Sequence, residues 1–138
     1  LNGRWQNVDF LSMSTAPCHR LVLVVDDDDD IRETIAELLA DEGYVVRTAV
    51  DGHDALEVLR GWDGSLPCVI LLDLMMPRMS GTAFCAAQGA DPQIADIPVV
   101  LISAHAALGA KAATLGHPYV SKPLRVEQLL EAVERHCA

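Results

Sequence analysis

Five aspartates, Asp26 to Asp30, follow directly on the apolar pentad Leu21 to Val25. Asp73 closes a second apolar run, Cys68 to Leu72. Ser103 closes a third, Pro98 to Ile102, and Lys122 follows the short stretch Tyr119 to Ser121. Singly, these are ordinary residues. An aspartate run at a helix start normally caps the helix and complements its dipole, and that role is expected of Asp28, Asp29 and Asp30. A lone aspartate at a strand end is usually a turn residue, a lone serine means little, and a lysine before proline is usually solvated. Their joint placement says more. In an open α/β sheet, ligands bind outside the carboxyl ends of the strands, so Asp26, Asp27, Asp73, Ser103 and Lys122 should converge on one rim. Carboxylates packed together repel one another unless a cation intervenes. Hard oxygen donors suit Mg2+, which keeps several waters and takes one or two carboxylates plus a phosphate oxygen. The lysine can pair with carboxylate or phosphate, and the hydroxyl can bond a phosphate oxygen. Such a set handles a phosphoryl group on a carboxylate nucleophile.

The rest of the chain predicts the elements that hold these residues. Leu21 to Val25 is apolar throughout, as in a strand buried on both faces. Ile31, Ile35, Leu38 and Leu39 recur at helical spacing, and Gly43 ends that helix. Tyr44 to Ala49 reads as a second strand and Asp51 to Arg60 as a short helix. Cys68 to Leu72 is the third strand. Pro77 and Gly81 punctuate the loop after it, a helix runs from about Gly81 to Gly89, and Asp91-Pro92 breaks it. Pro98 to Ile102 is the fourth strand. An alanine-rich helix from residue 104 to about Leu115, a short fifth strand Tyr119 to Ser121, and a last helix striped by Val126, Leu129, Leu130 and Val133 complete the chain. Strand–helix alternation, five times over, predicts one α/β domain with a parallel sheet covered on both faces. Right-handed crossovers leave few topologies.

The stretch Val24-Val25-Asp26-Asp27, then Leu71-Leu72-Asp73-Leu74-Met75-Met76-Pro77 with Gly81, then Ile102-Ser103-Ala104 and Ser121-Lys122-Pro123, resembles the receiver domain of two-component response regulators. The likeness covers about Arg20 to the C-terminus. It implies a (βα)5 doubly wound, chemotaxis-regulator-like fold with a five-stranded parallel sheet in the flavodoxin-like order 2-1-3-4-5. It implies Asp73 as phosphoacceptor and Mg2+ ligand, Asp27 as a direct Mg2+ ligand, Asp26 as a ligand through water, and the Met75 backbone carbonyl as another. Lys122 and Ser103 would contact the phosphoryl group, Ser103 and Tyr119 would be the switch pair, and the bond before Pro123 would be cis. The implied partner is a histidine kinase or histidine phosphotransfer protein, and the output surface is formed by the fourth helix, fifth strand and fifth helix. The implied molecule is a monomer or a phosphorylation-dependent dimer. It is no enzyme beyond self-catalysed phosphorylation and dephosphorylation. A stand-alone regulator or phosphorelay shuttle is the first form expected; a receiver piece of a larger hybrid kinase or multidomain regulator is the alternative. The segment from Ser103 to Lys122 is shorter than the family's usual length, and His117-Pro118 replaces a common acidic pair. With Gly109 and many alanines, this predicts a soft output face.

Other function classes fit less well. A haloacid-dehalogenase-type phosphatase needs a second Asp two residues after the nucleophile, where Met75 stands. A dinucleotide-binding fold needs G-x-G-x-x-G after the first strand, where aspartates stand. A formal net charge of -10 over 138 residues disfavours contact with nucleic acid or an anionic membrane surface, and no apolar run approaches the length of a membrane span. The four cysteines, Cys18, Cys68, Cys85 and Cys137, show no paired metal-site spacing. Cys68 and Cys85, in apolar stretches, are expected to be plain core residues in a reducing, cytoplasmic compartment. Residues 1–19 are expected to be an N-terminal extension or an expression scar, with Met13 a plausible natural start, and residues 20–138 the domain.

Overall fold

The computed structural model describes residues 20–62, 66–74, 76, 79–103, 116–122 and 125–137. Within them five strands form one parallel sheet: β1 (Leu21–Val25), β2 (Val45–Ala49), β3 (Val69–Asp73), β4 (Val99–Ser103) and β5 (Tyr119–Ser121), in the order β2-β1-β3-β4-β5. Four helices are described: α1 (Asp29–Asp41), α2 (Gly52–Arg60), α3 (Gly81–Gly89) and α4 (Val126–Glu134). This is the flavodoxin-like order that the resemblance implies. The expected helix at 104–115, residues 1–19, Met75 and Pro123 lie outside the described residues.

Alternation along the central strands builds two cores. Leu23, Val25, Ile70, Leu72 and Leu101 face Ala55, Leu56 and Leu59 of α2 and Phe84 of α3. Val22, Val24, Val69, Leu71, Val100 and Ile102 face Ile35 and Leu39 of α1 and Leu129 and Val133 of α4. Burial on both faces is why β1 is apolar throughout and β3 and β4 are apolar up to their last residue. β2, at the edge, is mostly exposed, with Val45 57% accessible. There the Arg47 guanidinium sits 4.3 Å from the centre of the Trp62 ring, a cation–π contact that shields part of the open edge.

Three helices start on a side-chain cap. Asp28 accepts from the Ile31 N–H, Asp51 from the Asp54 N–H, and Ser80 from the Ala83 N–H. Asp28 therefore serves α1 and not the rim, and Asp29 and Asp30 lie in the first turn of that helix. α4 has no such side-chain bond at its N-cap, Arg125. Gly43 ends α1 at φ 96°, a left-handed conformation that favours glycine. The Tyr44 N–H is then taken by the Leu39 carbonyl at 3.0 Å, so β2 starts at Val45, one residue later than the sequence suggests. β3 and β4 also begin one residue later than expected and take in Asp73 and Ser103.

Cys68 departs from expectation. It is half-buried and joined by a disulfide to Cys137, with Cα atoms 5.3 Å apart across a separation of 69 residues. It is therefore not a plain core residue. The start of β3 and the end of the last helix meet at one edge of the domain, and no local spacing reveals a meeting between segments so far apart. A bonded pair also removes cysteine usage as an argument for a reducing compartment. Cys85 is free and half-buried, and burial pushes its thiol up to about 11. Among the described residues, no helix is long and apolar enough to cross a membrane.

Candidate functional site

The sheet register assembles the acidic residues. Val25 pairs with Leu72, and Asp73 with Ile102, so the chain leaving β1 passes beside the last residue of β3. One carboxylate oxygen from each of Asp26, Asp27 and Asp73 falls within 4.8 Å of the other two. Asp26 and Asp73 are 1% and 4% exposed, whereas Asp27 is open to solvent. β5 brings the cation. Ser121 pairs with Ser103, and the next residue places Lys122 Nζ 3.5 Å from Asp26 Oδ2 and 3.6 Å from Asp73 Oδ2. Both distances are long for hydrogen bonds, so the ammonium acts as a counter-ion shared between two carboxylates. The joint convergence expected from the sequence is thus present for Asp26, Asp27, Asp73 and Lys122.

The turn after β1 is held from several sides. The Asp26 N–H donates to the Ala49 carbonyl at 3.2 Å, and the Asp28 N–H donates to Asp26 Oδ1 at 2.9 Å. Arg32 Nη1 donates to the Asp26 carbonyl at 2.9 Å while Nη2 pairs with Asp29. Arg32 was not among the residues picked out by type and spacing. Its place one helical turn after Asp29 gave the only local signal, since i,i+3 pairs share a helix face. The contact with Asp26 reaches back across the strand–helix junction.

Ser103 ends β4 and is fully buried. Its carbonyl accepts from the Lys122 N–H at 2.9 Å and from the Tyr119 hydroxyl at 3.3 Å. The two expected switch residues therefore touch through the Ser103 backbone. The donor set fits a hard divalent cation: three carboxylates, two of them nearly buried, with a single ammonium between those two. A cation there relieves the repulsion that the lysine only partly offsets.

The start of α3 packs on the carboxyl end of β3. The Gly81 N–H donates to the Leu74 carbonyl at 3.2 Å. A Cβ on Gly81 would lie 2.9 Å from Leu74 Cα and 3.0 Å from the Asp73 carbonyl oxygen. Both obstacles are backbone, so relief requires α3 or β3 to move. Gly81→Ala is expected to destabilise the fold by about 1–3 kcal/mol and, by displacing Asp73, to weaken any cation binding at the carboxylate cluster. Chemical denaturation and a Mg2+ titration on the same sample check this. A loss of stability with unchanged Mg2+ affinity would show that the strain is absorbed by α3 alone.

Residues 22–134 match the family model of the response regulator receiver domain. The chain is 36% identical over 118 residues to protein PilG of Pseudomonas aeruginosa, covering 83% of this chain and 85% of that one. It is 33% identical over 112 residues to the response regulator MprA of Mycolicibacterium vanbaalenii, covering 79% of this chain but only 46% of that protein. Among solved structures, chemotaxis protein CheY4 of Vibrio cholerae superposes with a TM-score of 0.74 at 30% identity, covering 84% of this chain and 97% of that one. The chain belongs to the response regulator receiver domain family, the signalling modules of two-component systems.

Proposed function

We propose that the domain accepts a phosphoryl group on Asp73 from a partner histidine kinase or histidine phosphotransfer protein, with Mg2+ as cofactor, and passes the signal on by a change of surface. The observation that carries this reading is the convergence of Asp26, Asp27 and Asp73 within 4.8 Å, with Lys122 set against two of them. In the reaction an Asp73 carboxylate oxygen attacks phosphorus, the bond from phosphorus to the donor breaks, and the donor leaves with its electron pair. Bound Mg2+ supplies charge neutralisation for the transferring oxygens. Asp26, Asp27 and Asp73 would hold the ion, and the Met75 carbonyl is assigned the same role by resemblance. The ammonium of Lys122, already beside Asp73, pairs with a phosphoryl oxygen. Ser103 supplies a hydroxyl to that group, and its backbone tie to Tyr119 conveys the change to β5. A cis bond before Pro123 is part of the same reading.

An apolar groove of about 450 Å³, lined in part by Ile31, Leu38, Lys122, Val126 and Leu129, opens beside the site and suits docking of a partner. The cytoplasm, where such kinases present their phosphohistidine, is the compartment assigned. The module works as a stand-alone regulator or shuttle, or as the receiver of a longer protein. The test is incubation with acetyl phosphate and Mg2+ followed by intact mass. One phosphoryl adduct is expected, absent in Asp73→Asn. Mg2+ affinity is expected to collapse in Asp27→Ala and to change little in Asp29→Ala. An adduct that survives Asp73→Asn overturns the assignment of the acceptor; equal loss of Mg2+ binding in both alanine variants shows a diffuse anionic patch.

A further inference from the structure

We infer that Cys68 and Cys137 form a reversible redox site that exchanges with low-molecular-weight disulfides of the glutathione type and thereby fastens or frees α4. The inference stands apart from the phosphoacceptor reading, because the pair lies at the opposite end of β3. Cys68 immediately precedes that strand, whereas Asp73 is its last residue.

Both redox states have a satisfactory structure on the same backbone. In the bonded state Cys68 is tied to Cys137. Cys68 Sγ also lies 3.1 Å from the Leu21 carbonyl oxygen, so on reduction its S–H has an acceptor already in place. Cys137 is 4% exposed within the core that holds Val133 and Leu129, and a thiol there behaves as a small apolar group. Reduction therefore strands no buried polar atom. Cys68 is the half-exposed member and the point of attack. Cys85 does not compete, since burial keeps its thiol protonated at neutral pH, with a pKa of about 11.

The electrons balance without any group beyond the external disulfide. The Cys68 thiolate attacks one sulfur of that disulfide, the external S–S bond breaks, and one thiolate leaves. The Cys137 thiolate then attacks the Cys68 sulfur, the mixed disulfide breaks, and the second thiolate leaves. Two protein thiols lose two electrons and two protons, and the external disulfide becomes two thiols.

The consequence falls on α4. It has nine residues, too few to persist alone in water, and no side-chain bond at its N-cap, unlike α1, α2 and α3. It is held by its packed face, chiefly Leu129 and Val133, and by the covalent anchor just beyond its last turn. Releasing the anchor lets its last turn open.

The full chain is equilibrated in glutathione buffers from fully oxidised to fully reduced, quenched with acid and alkylated. The Cys68–Cys137 linked peptide is then quantified by mass spectrometry after a non-reducing digest. Hydrogen exchange is followed in both states and in Cys137→Ala and Cys68→Ala. The linked peptide is expected to pass from predominant to minor across the series. Exchange in residues 126–137 is expected to quicken roughly tenfold on reduction, with β3 and β4 little changed. Both variants should exchange like the reduced protein in every buffer. A link that survives fully reduced glutathione marks a permanent staple, one that never forms in the oxidised buffer removes the site, and equal exchange in both states removes the latch; each overturns the proposal. The Asp73 adduct is scored separately, so failure of one reading leaves the other standing.

Discussion

Lys122→Ala should melt roughly 10 °C below the wild type in metal-free buffer and recover most of that loss when Mg2+ is added. The side chains of Asp26 and Asp73 are 2% and 6% exposed, and Lys122 Nζ sits within 3.6 Å of both. Removing one partner from a buried ion pair leaves an uncompensated charge, at a cost of about 3–5 kcal/mol. The lysine side chain is itself 18% exposed, which places the expected loss near about 3 kcal/mol, the lower end of that range. A divalent ion restores the missing positive charge, so the variant should gain more from Mg2+ than the wild type does. The decisive comparison is the same substitution in an Asp73→Asn background. With one carboxylate neutralised, Lys122→Ala should cost at least about 1 kcal/mol less, the coupling expected of charges in contact. Equal costs in the two backgrounds would mean that the charge of Lys122 is not coupled to Asp73.

Phe84→Ala should cost about 3–5 kcal/mol in chemical denaturation, because the emptied volume is walled by rigid elements. Phe84 is fully buried and is the largest such side chain among the described residues. It sits on α3 in the core that includes Leu72 of β3 and Leu56 of α2. β3 is hydrogen-bonded on both sides, to β1 and β4, so it cannot move in to fill the space. Phe84→Leu keeps most of the volume and should lose less than half as much. A small loss for the alanine variant would show that α3 settles onto the sheet, which Gly81 packed against Asp73 and Leu74 argues against.

Residues at the ends of apolar runs were the legible ones. Asp26, Asp27, Asp73 and Lys122 follow or close strands whose full burial shows as unbroken hydrophobicity, and the rule that sites lie outside strand carboxyl ends brings them together. The capping role of Asp28 was equally local and shows as a bond to the Ile31 N–H. What escaped depends on contacts between distant segments. The link from Cys68 to Cys137 spans 69 residues, and neither cysteine carries a mark of the other. Arg32 looks like any basic residue on an exposed helix until the turn at Asp26 is folded back against it. Gly52 reads as an ordinary helix start, yet a Cβ there would come within 2.8 Å of Met79 Cγ from the loop after β3. β2, β3 and β4 each start one residue later than the sequence suggests, and the start of β2 is decided by how α1 ends.

Lys122 meets Asp26 across a separation of 96 residues, and this has a consequence for biosynthesis. The carboxylates leave the ribosome early and their counter-ion late, so a chain still lacking β5 can bring Asp26, Asp27 and Asp73 together only without their lysine. The charge-balanced centre comes into being only once the fifth strand has docked on β4, after β1, β3 and β4 have paired. Until then, positive charge for the carboxylates has to come from solution. A mutation far from the rim that slows docking of β5 therefore prolongs the interval in which the carboxylates stand without their lysine.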